Sequence, residues 1–216
     1  MKKIASPLFQ DLSEAELDTL AAAGHLRTRQ FAKHEVIFHA GSCVREIGIV
    51  LRGSVHIENL DLWGTKSILS SAGAGQAFAE TYAFCGEALM VDAVAAEHCE
   101  ILFLHTAAFT DARIEPALQD KLLRRLLAVS MRKNLSLSQR IFCTTPKTVR
   151  GRLLTYFSAQ AARCGRMEFE VPFNRQQMAD YLNLDRSALS KELCKMRDEG
   201  LLTFEKNRFA LNELPE

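Results

Sequence analysis

Between Ala117 and Phe142 the sequence contains no glycine and no proline, and its apolar residues recur at helical spacing. One long helix in this position constrains everything else, because the texture of the chain differs on its two sides. Within it Leu123, Leu127, Ser130, Asn134, Leu137 and Ile141 step by four and three, a heptad-like seam. A second stripe of Met131, Leu135, Ser138 and Phe142 lies beside the first. A helix with two apolar faces can pack on its own domain with one and on a partner helix with the other. The seam residues are therefore the expected dimer interface, with Asn134 fixing register at some cost in stability. The competing reading is a single helix buried within a monomer.

Upstream, Ser13-Glu14-Ala15-Glu16 forms a capping box, with Leu12 and Leu17 placed as its hydrophobic staple, so a short helix is expected from about Glu14 to Ala23. From His34 to His105 the texture is one of short β-branched or alternating runs. Val36-Ile37-Phe38, Ile47 to Leu51, Val55-His56-Ile57, Ser67-Ile68-Leu69, Val91 to Val94 and Ile101 to Leu104 read as strands. Gly41, Gly53, Gly64, Gly73 and Gly75 punctuate them as turn residues. Many short strands at such intervals predict a jelly-roll or barrel.

Downstream, Cys143-Thr144-Thr145-Pro146 ends the long helix and forms the expected hinge, with Thr145 as N-cap and Pro146 as first residue of a helix reaching about Ala162. Met167 to Val171 alternates as a strand should. Asn174 can cap a helix over Arg175 to Leu182, with Met178 and Leu182 inward and Ala179 small where another helix approaches. Asn183 tolerates the left-handed conformation a tight turn requires, and Asp185 can cap a second helix whose buried face is Leu189, Leu193 and Met196. Gly200 follows as the residue that ends it. Two short helices, a tight turn and this spacing make a helix-turn-helix. Leu201 to Phe204 and Arg208 to Leu211 flank Glu205-Lys206-Asn207, a small hairpin and hence a wing. The second helix offers Arg186, Ser187, Ser190, Lys191 and Lys195 on its open side. Such side chains can donate to guanine O6 and N7 or reach phosphate. Arg175 and Lys206 join them as candidate DNA contacts, while Glu192 has no evident role.

Composition limits the alternatives. At 216 residues, 48% hydrophobic and 25% charged, the chain suits two modest globular domains. No apolar run approaches the roughly 18 residues of a membrane helix, and no secretion signal follows Lys2-Lys3, so a cytoplasmic protein is expected. The six scattered cysteines lack zinc or disulfide spacing and are expected to be mostly small buried hydrophobes. From Arg113 to Arg152 ten basic residues face two acids, a bias that suits phosphate but equally a solvated helix face.

Taken together, the chain resembles the CRP/FNR superfamily of bacterial transcription regulators over nearly its whole length. The strongest match is NRQQMADYLNLDRSALSKELCKMRDEGLL, from Asn174 to Leu202. The resemblance implies an α+β chain: an N-terminal double-stranded β-helix or jelly-roll like those that bind cyclic nucleotides, a long dimerisation helix, and a C-terminal winged helix-turn-helix. The expected limits are 1–113, 114–143 and 144–216. Arg186 falls where catabolite-activator-type members carry a base-contacting arginine. Ser190-Lys191 is similar to the Ser-Arg pair of FNR-like members. Ser187 departs from the glutamate common to both groups, which changes the expected half-site.

The stretch GIVLRGSVHIENLDLWGTKSILSSAGAGQAFAE is similar to the family's strand-glycine-strand framework leading to its effector pocket. By that likeness the pocket comprises Glu80, Thr81, Tyr82, Phe84, Met90 and Val91, with Leu137 and Ser138 from the long helix. Cyclic-AMP-binding members use an Arg-Ser pair to hold the cyclic phosphate, and Met90-Val91 stands there instead. A buried phosphate without its cation would be left uncompensated. Cyclic AMP is therefore disfavoured, and a less anionic small molecule is expected, with Glu80 as polar anchor. The N-terminal cysteine cluster of iron–sulfur members is missing.

The expected function is a ligand-switched, sequence-specific regulator and not an enzyme. Its expected partners are a second copy of itself, a near-palindromic DNA operator, the small-molecule effector and RNA polymerase. A redox- or haem-dependent sensor on the same fold is the alternative, through the cysteines or through His25, His34, His39, His56, His98 and His105. A cupin-like metalloenzyme is the third reading; His56 and Glu58 share a strand face, but no His-x-His occurs.

Overall fold

A computed structural model describes residues 4–60 and 66–212; Gly64, expected at a turn, lies outside them. The chain divides into two compact units, Met1–Arg132 and Lys133–Glu216.

The first unit opens with a 3₁₀ turn at Pro7–Phe9 and helix α1, Glu14–Ala22. The capping box forms: Glu16 N donates to Ser13 Oγ at 3.2 Å and Ser13 N to Glu16 Oε2 at 2.7 Å. The strands follow as β1 Leu26–Phe31, β2 Val36–Phe38, β3 Glu46–Arg52, β4 Ser54–Leu60, β5 Lys66–Gly73 and β6 Ala77–Phe78. Helix α2, Glu80–Cys85, precedes β7 Asp92–Ala95 and β8 Cys99–His105. They make two antiparallel four-stranded sheets, ordered β1-β8-β3-β6 and β2-β7-β4-β5, the two-sheeted jelly-roll among the alternatives that the glycine-punctuated runs predict.

One core comprises Phe31, Phe38, Val50, Val55, Phe78, Ile101 and Phe103. Another joins Ile47, Ile49, Leu102 and Leu104 to Leu8, Leu17 and Leu20. Strands β3 and β8 thus contribute to both cores, which is why they read as nearly continuous apolar runs. At Gly48 an added Cβ would lie 2.2 Å from the Phe78 ring, so only glycine lets that ring lie over the strand. Strand β1, LRTRQF, was not expected, because charge masks its pattern. It is an edge strand whose arginines pair outward, Arg27 with Glu46 at 2.5 Å and Arg29 with Glu35 at 2.9 Å, and such charges block edge-to-edge pairing.

Helix α3 runs unbroken from Pro116 to Thr144. Leu118, Leu122 and Leu126, a row the seam and its neighbouring stripe do not include, pack it onto the core of the first unit.

The second unit contains α4 Val149–Cys164, β9 Glu168–Glu170, α5 Arg175–Leu182, α6 Arg186–Asp198, β10 Leu202–Glu205 and β11 Arg208–Leu211. Its three strands are ordered β10-β11-β9. The core gathers Leu153, Phe157, Phe169, Met178, Leu189, Leu193, Met196 and Phe209, with the Phe157 and Phe209 centroids 4.6 Å apart. Helix α4 begins later than the sequence suggests. Thr148, not Thr145, is its N-cap, accepting from Gly151 N at 3.0 Å. Thr145 Oγ1 instead donates to Ile141 O at 2.8 Å and closes α3.

Candidate nucleic-acid interface

Local side-chain bonds set the two helices of the second unit. Asn174 and Gln177 cap α5 reciprocally, each backbone N–H donating to the other's amide oxygen at 2.9 Å. Asn183 turns the chain at φ 53°, left-handed without glycine. Asp185 then caps α6: its Oδ1 accepts from Ser187 N at 2.8 Å, from Ala188 N at 2.9 Å and from the Ser187 hydroxyl at 2.5 Å. Those donors, the Ser187 hydroxyl foremost, hold the Asp185 carboxyl below the usual carboxylate range. The Ser187 hydroxyl, a candidate base reader, is thus engaged in the cap.

Leu189, Leu193 and Met196 are buried, while Arg186, Ser187, Lys191 and Lys195 are exposed and Ser190 is half-buried. Arg186 and Lys191 have no ion-pair partner among the described residues. Lys206 stands at the wing's turn with φ 52°. Arg175 is half-buried, its guanidinium 4.9 Å and 5.0 Å from the ring centroids of Phe204 and Phe209, and burial lowers its pKa. A cleft of about 800 Å³ brings Arg175 and Lys206 together with Arg163, Phe173 and Asn207.

The basic run from Arg113 to Arg152 has a different character. Arg113 pairs with Asp111, Lys121 with Glu16, Arg124 with Asp120 and Arg125 with Asp11. Arg150 pairs with Glu192 at 2.6 Å and Glu199 at 2.7 Å, which raises its pKa and gives Glu192 the role the sequence did not reveal. Arg140 and Arg152 donate to backbone carbonyls around the helix-turn-helix turn. Most of these cations are structural ties.

In the β-roll, Ala79 begins α2 with φ 61° and no side-chain cap. Glu80 is buried and Tyr82 packs against the roll's core. Thr81 is exposed, Val91 half-buried, and Phe84, 51% exposed, packs edge to face with Phe109, the ring centroids 5.5 Å apart. Met90 is 77% exposed. The structure joins Glu80 and Tyr82 to the core and leaves Thr81, Phe84 and Met90 open to solvent. On α3, Leu137 and Ser138 are exposed, as are Leu123, Leu127, Asn134 and Ile141 of the seam; Ser130 is half-buried.

Among the described residues no three His, Cys, Asp or Glu groups converge in a way that could hold a metal ion. His25 Nε2 lies 2.8 Å from Asp111 Oδ2, and His105 Nδ1 accepts from Ala107 N. Asp111 is held far below its ordinary pKa, chiefly by the Arg113 guanidinium, with the Arg113 backbone N–H and His25 adding to it. The expectation of mostly buried cysteines is corrected: Cys43, Cys85, Cys164 and Cys194 are exposed, and only Cys99 and Cys143 are buried. Among the described residues no helix is long and apolar enough to cross a membrane.

Residues 28–113 match the family described as the cyclic nucleotide-binding domain, and residues 151–216 the Crp-like helix-turn-helix domain. No curated protein matches. The catabolite activator protein of Thermus thermophilus is 25% identical, aligning over 97% of this chain and 95% of its own with a TM-score of 0.50. FixK2 of Bradyrhizobium japonicum shares the fold at 18% identity, 87% and 93% coverage and a TM-score of 0.52. So does CLP of Xanthomonas campestris, described as a c-di-GMP responsive global regulator, at 17% identity, 93% and 100% coverage and a TM-score of 0.56.

Proposed function

The chain belongs to the CRP/FNR superfamily of transcription regulators, and from that premise we propose that it is a homodimeric, one-component regulator that reads a near-palindromic operator. The observation that carries this is the state of its cations. Arg113, Lys121, Arg124, Arg125 and Arg150 are paired with acids, whereas Arg186, the first residue of α6, and Lys191, opposite its buried face, stand exposed and without an ion pair among the described residues. Exposed, unpaired cations on the second helix of the motif suit base edges and phosphates. Lys195, Lys206 and Arg175 extend the contact to the backbone, and Ser190 lies beside Lys191. Residues 1–113 sense, 114–143 dimerise along the Leu123–Ile141 seam, and 144–216 bind DNA.

The effector contacts Glu80, Thr81, Tyr82, Phe84, Met90 and Val91, with Leu137 and Ser138, and is not cyclic AMP. No lysine or arginine occurs from Ser67 to Ala112, so no local cation compensates a cyclic phosphate. An effector acts only through unequal affinity for two states of the protein. If transcription is activated, RNA polymerase is the further partner.

Selection from a random duplex pool tests this reading. The expected product is a near-palindrome with half-sites about one helical turn apart. Arg186→Ala should cost about 1–3 kcal/mol on that duplex and relax base preference at one position. Binding that survives both Arg186→Ala and Lys191→Ala at fixed salt would place the reading surface elsewhere. Titration calorimetry with cyclic AMP should give no heat; micromolar binding that tightens operator affinity would overturn the effector assignment.

A further inference from the structure

The last turn of a helix leaves carbonyls without intrahelical donors. At α5, Ala179 O is taken by Leu184 N at 2.9 Å. Asp180 O accepts from Asn183 N at 3.3 Å, and the four carbonyls from Asp180 to Asn183 each accept from one of two guanidinium groups outside the motif. Arg140 of α3 donates Nη2 to Asp180 O at 2.9 Å and Nε to Tyr181 O at 3.0 Å. Arg152 of α4 donates Nη1 to Leu182 O at 3.0 Å and to Asn183 O at 2.7 Å. Arg152 also reaches back, Nε to Pro146 O at 2.8 Å, so the stretch linking α3 to α4 is tied to the same turn. Gly151 permits this closure, since a Cβ there would lie 2.9 Å from Pro146 Cβ.

The geometry suits arginine. Arg140 spans successive carbonyls with two donors on one rigid plane, Arg152 uses its plane to join Pro146 O to the turn, and positive charge at a helix C-terminus is favourable. Both groups are half-buried, and Asp185 makes the cap of α6 without them.

We infer, resting on the reading above, that Arg140 and Arg152 are positioning residues for DNA recognition. They fix the α5–α6 turn to the end of α3 and the start of α4, so the recognition helix follows the helix that carries the seam. Residues 180–183 immediately precede Asp185, the cap of α6, and Asn183 is the residue that sets the angle between the two helices. A shift in the last turn of α3 is therefore passed to the reading surface through hydrogen bonds, with no contact between these arginines and DNA.

The test uses the full-length protein with Arg140→Lys and Arg152→Lys, which keep the charge and lose the planar fork. Affinity for the selected operator should fall about tenfold in each variant. Affinity for an unrelated duplex, and the slope of log affinity against log salt, should stay at the wild-type values. Three results overturn the inference alone: unchanged operator affinity, an equal loss on both duplexes, or a salt slope lower by about one unit, which would mark a lost phosphate contact. Retained operator selectivity in Arg140→Gln, checked for folding by its thermal transition, also overturns it. A wild-type chain that selects no sequence overturns this inference and the regulator reading together.

Discussion

The helix-turn-helix of residues 174–200 and the effector segment of residues 79–91 are built to different tolerances. In the first, side chains close both ends of α5 and the start of α6: Asn174 and Gln177, Asp185, Arg140 and Arg152 all serve one short stretch. In the second, α2 starts from a left-handed alanine with no side-chain cap, and two large apolar side chains, Phe84 and Met90, are more exposed than buried. A reader of fixed geometry requires locks. A sensor requires a segment whose arrangement a ligand can change, and such segments come from the weakly held parts of a fold.

That contrast can be broken or sharpened. The largest effect is expected at the seam, because a locked reader works as proposed only in pairs. Leu137→Glu should give monomers by light scattering and remove specific operator binding, while leaving each unit folded; a dimer that persists would place the interface elsewhere. The effector segment predicts an opposite sign. Ala79→Gly relieves a left-handed alanine and should stabilise the protein by about 1 kcal/mol in denaturant titration. A loss of stability there would mean that the segment is held as firmly as the reader. The mildest effect is pH-dependent and lies in the β-roll. Arg113 lowers the Asp111 pKa, so the ionised carboxylate adds stability above the ordinary carboxylate range and loses it as pH falls below that range toward its folded value. Asp111→Asn should therefore be less stable than wild type near neutrality and converge with it in strong acid. Parallel acid-unfolding curves would show that Asp111 contributes nothing.

The reader was legible in the sequence because its signals are local. A cap, its partner and a left-handed Asn183 all lie within a few residues of one another. The ties that hold it from outside were not, since Arg140 and Asp180, or Arg150 and Glu192, are some 40 residues apart. Their charge was visible, but its destination was not. Strand β1 escaped for a related reason: three of its six residues point charge or amide outward, and only the partner strand β8 shows why. The pocket residues came from likeness to a family, and likeness carries residue identity better than side-chain direction, as the exposure of Met90 illustrates. Thr145 reads as a cap because it precedes a proline; Thr148 wins because its oxygen has Gly151 N within reach.

Seven large apolar side chains of α3, from Leu123 through Leu127, Met131, Leu135, Leu137 and Ile141 to Phe142, are about half or more exposed. If a second copy covers them, the protein has no single melting temperature, only one at each concentration. Each tenfold dilution would then remove about 1.4 kcal/mol from the folded pair. Scarcity alone would loosen the molecule, so the amount of protein a cell makes becomes a second input alongside the effector.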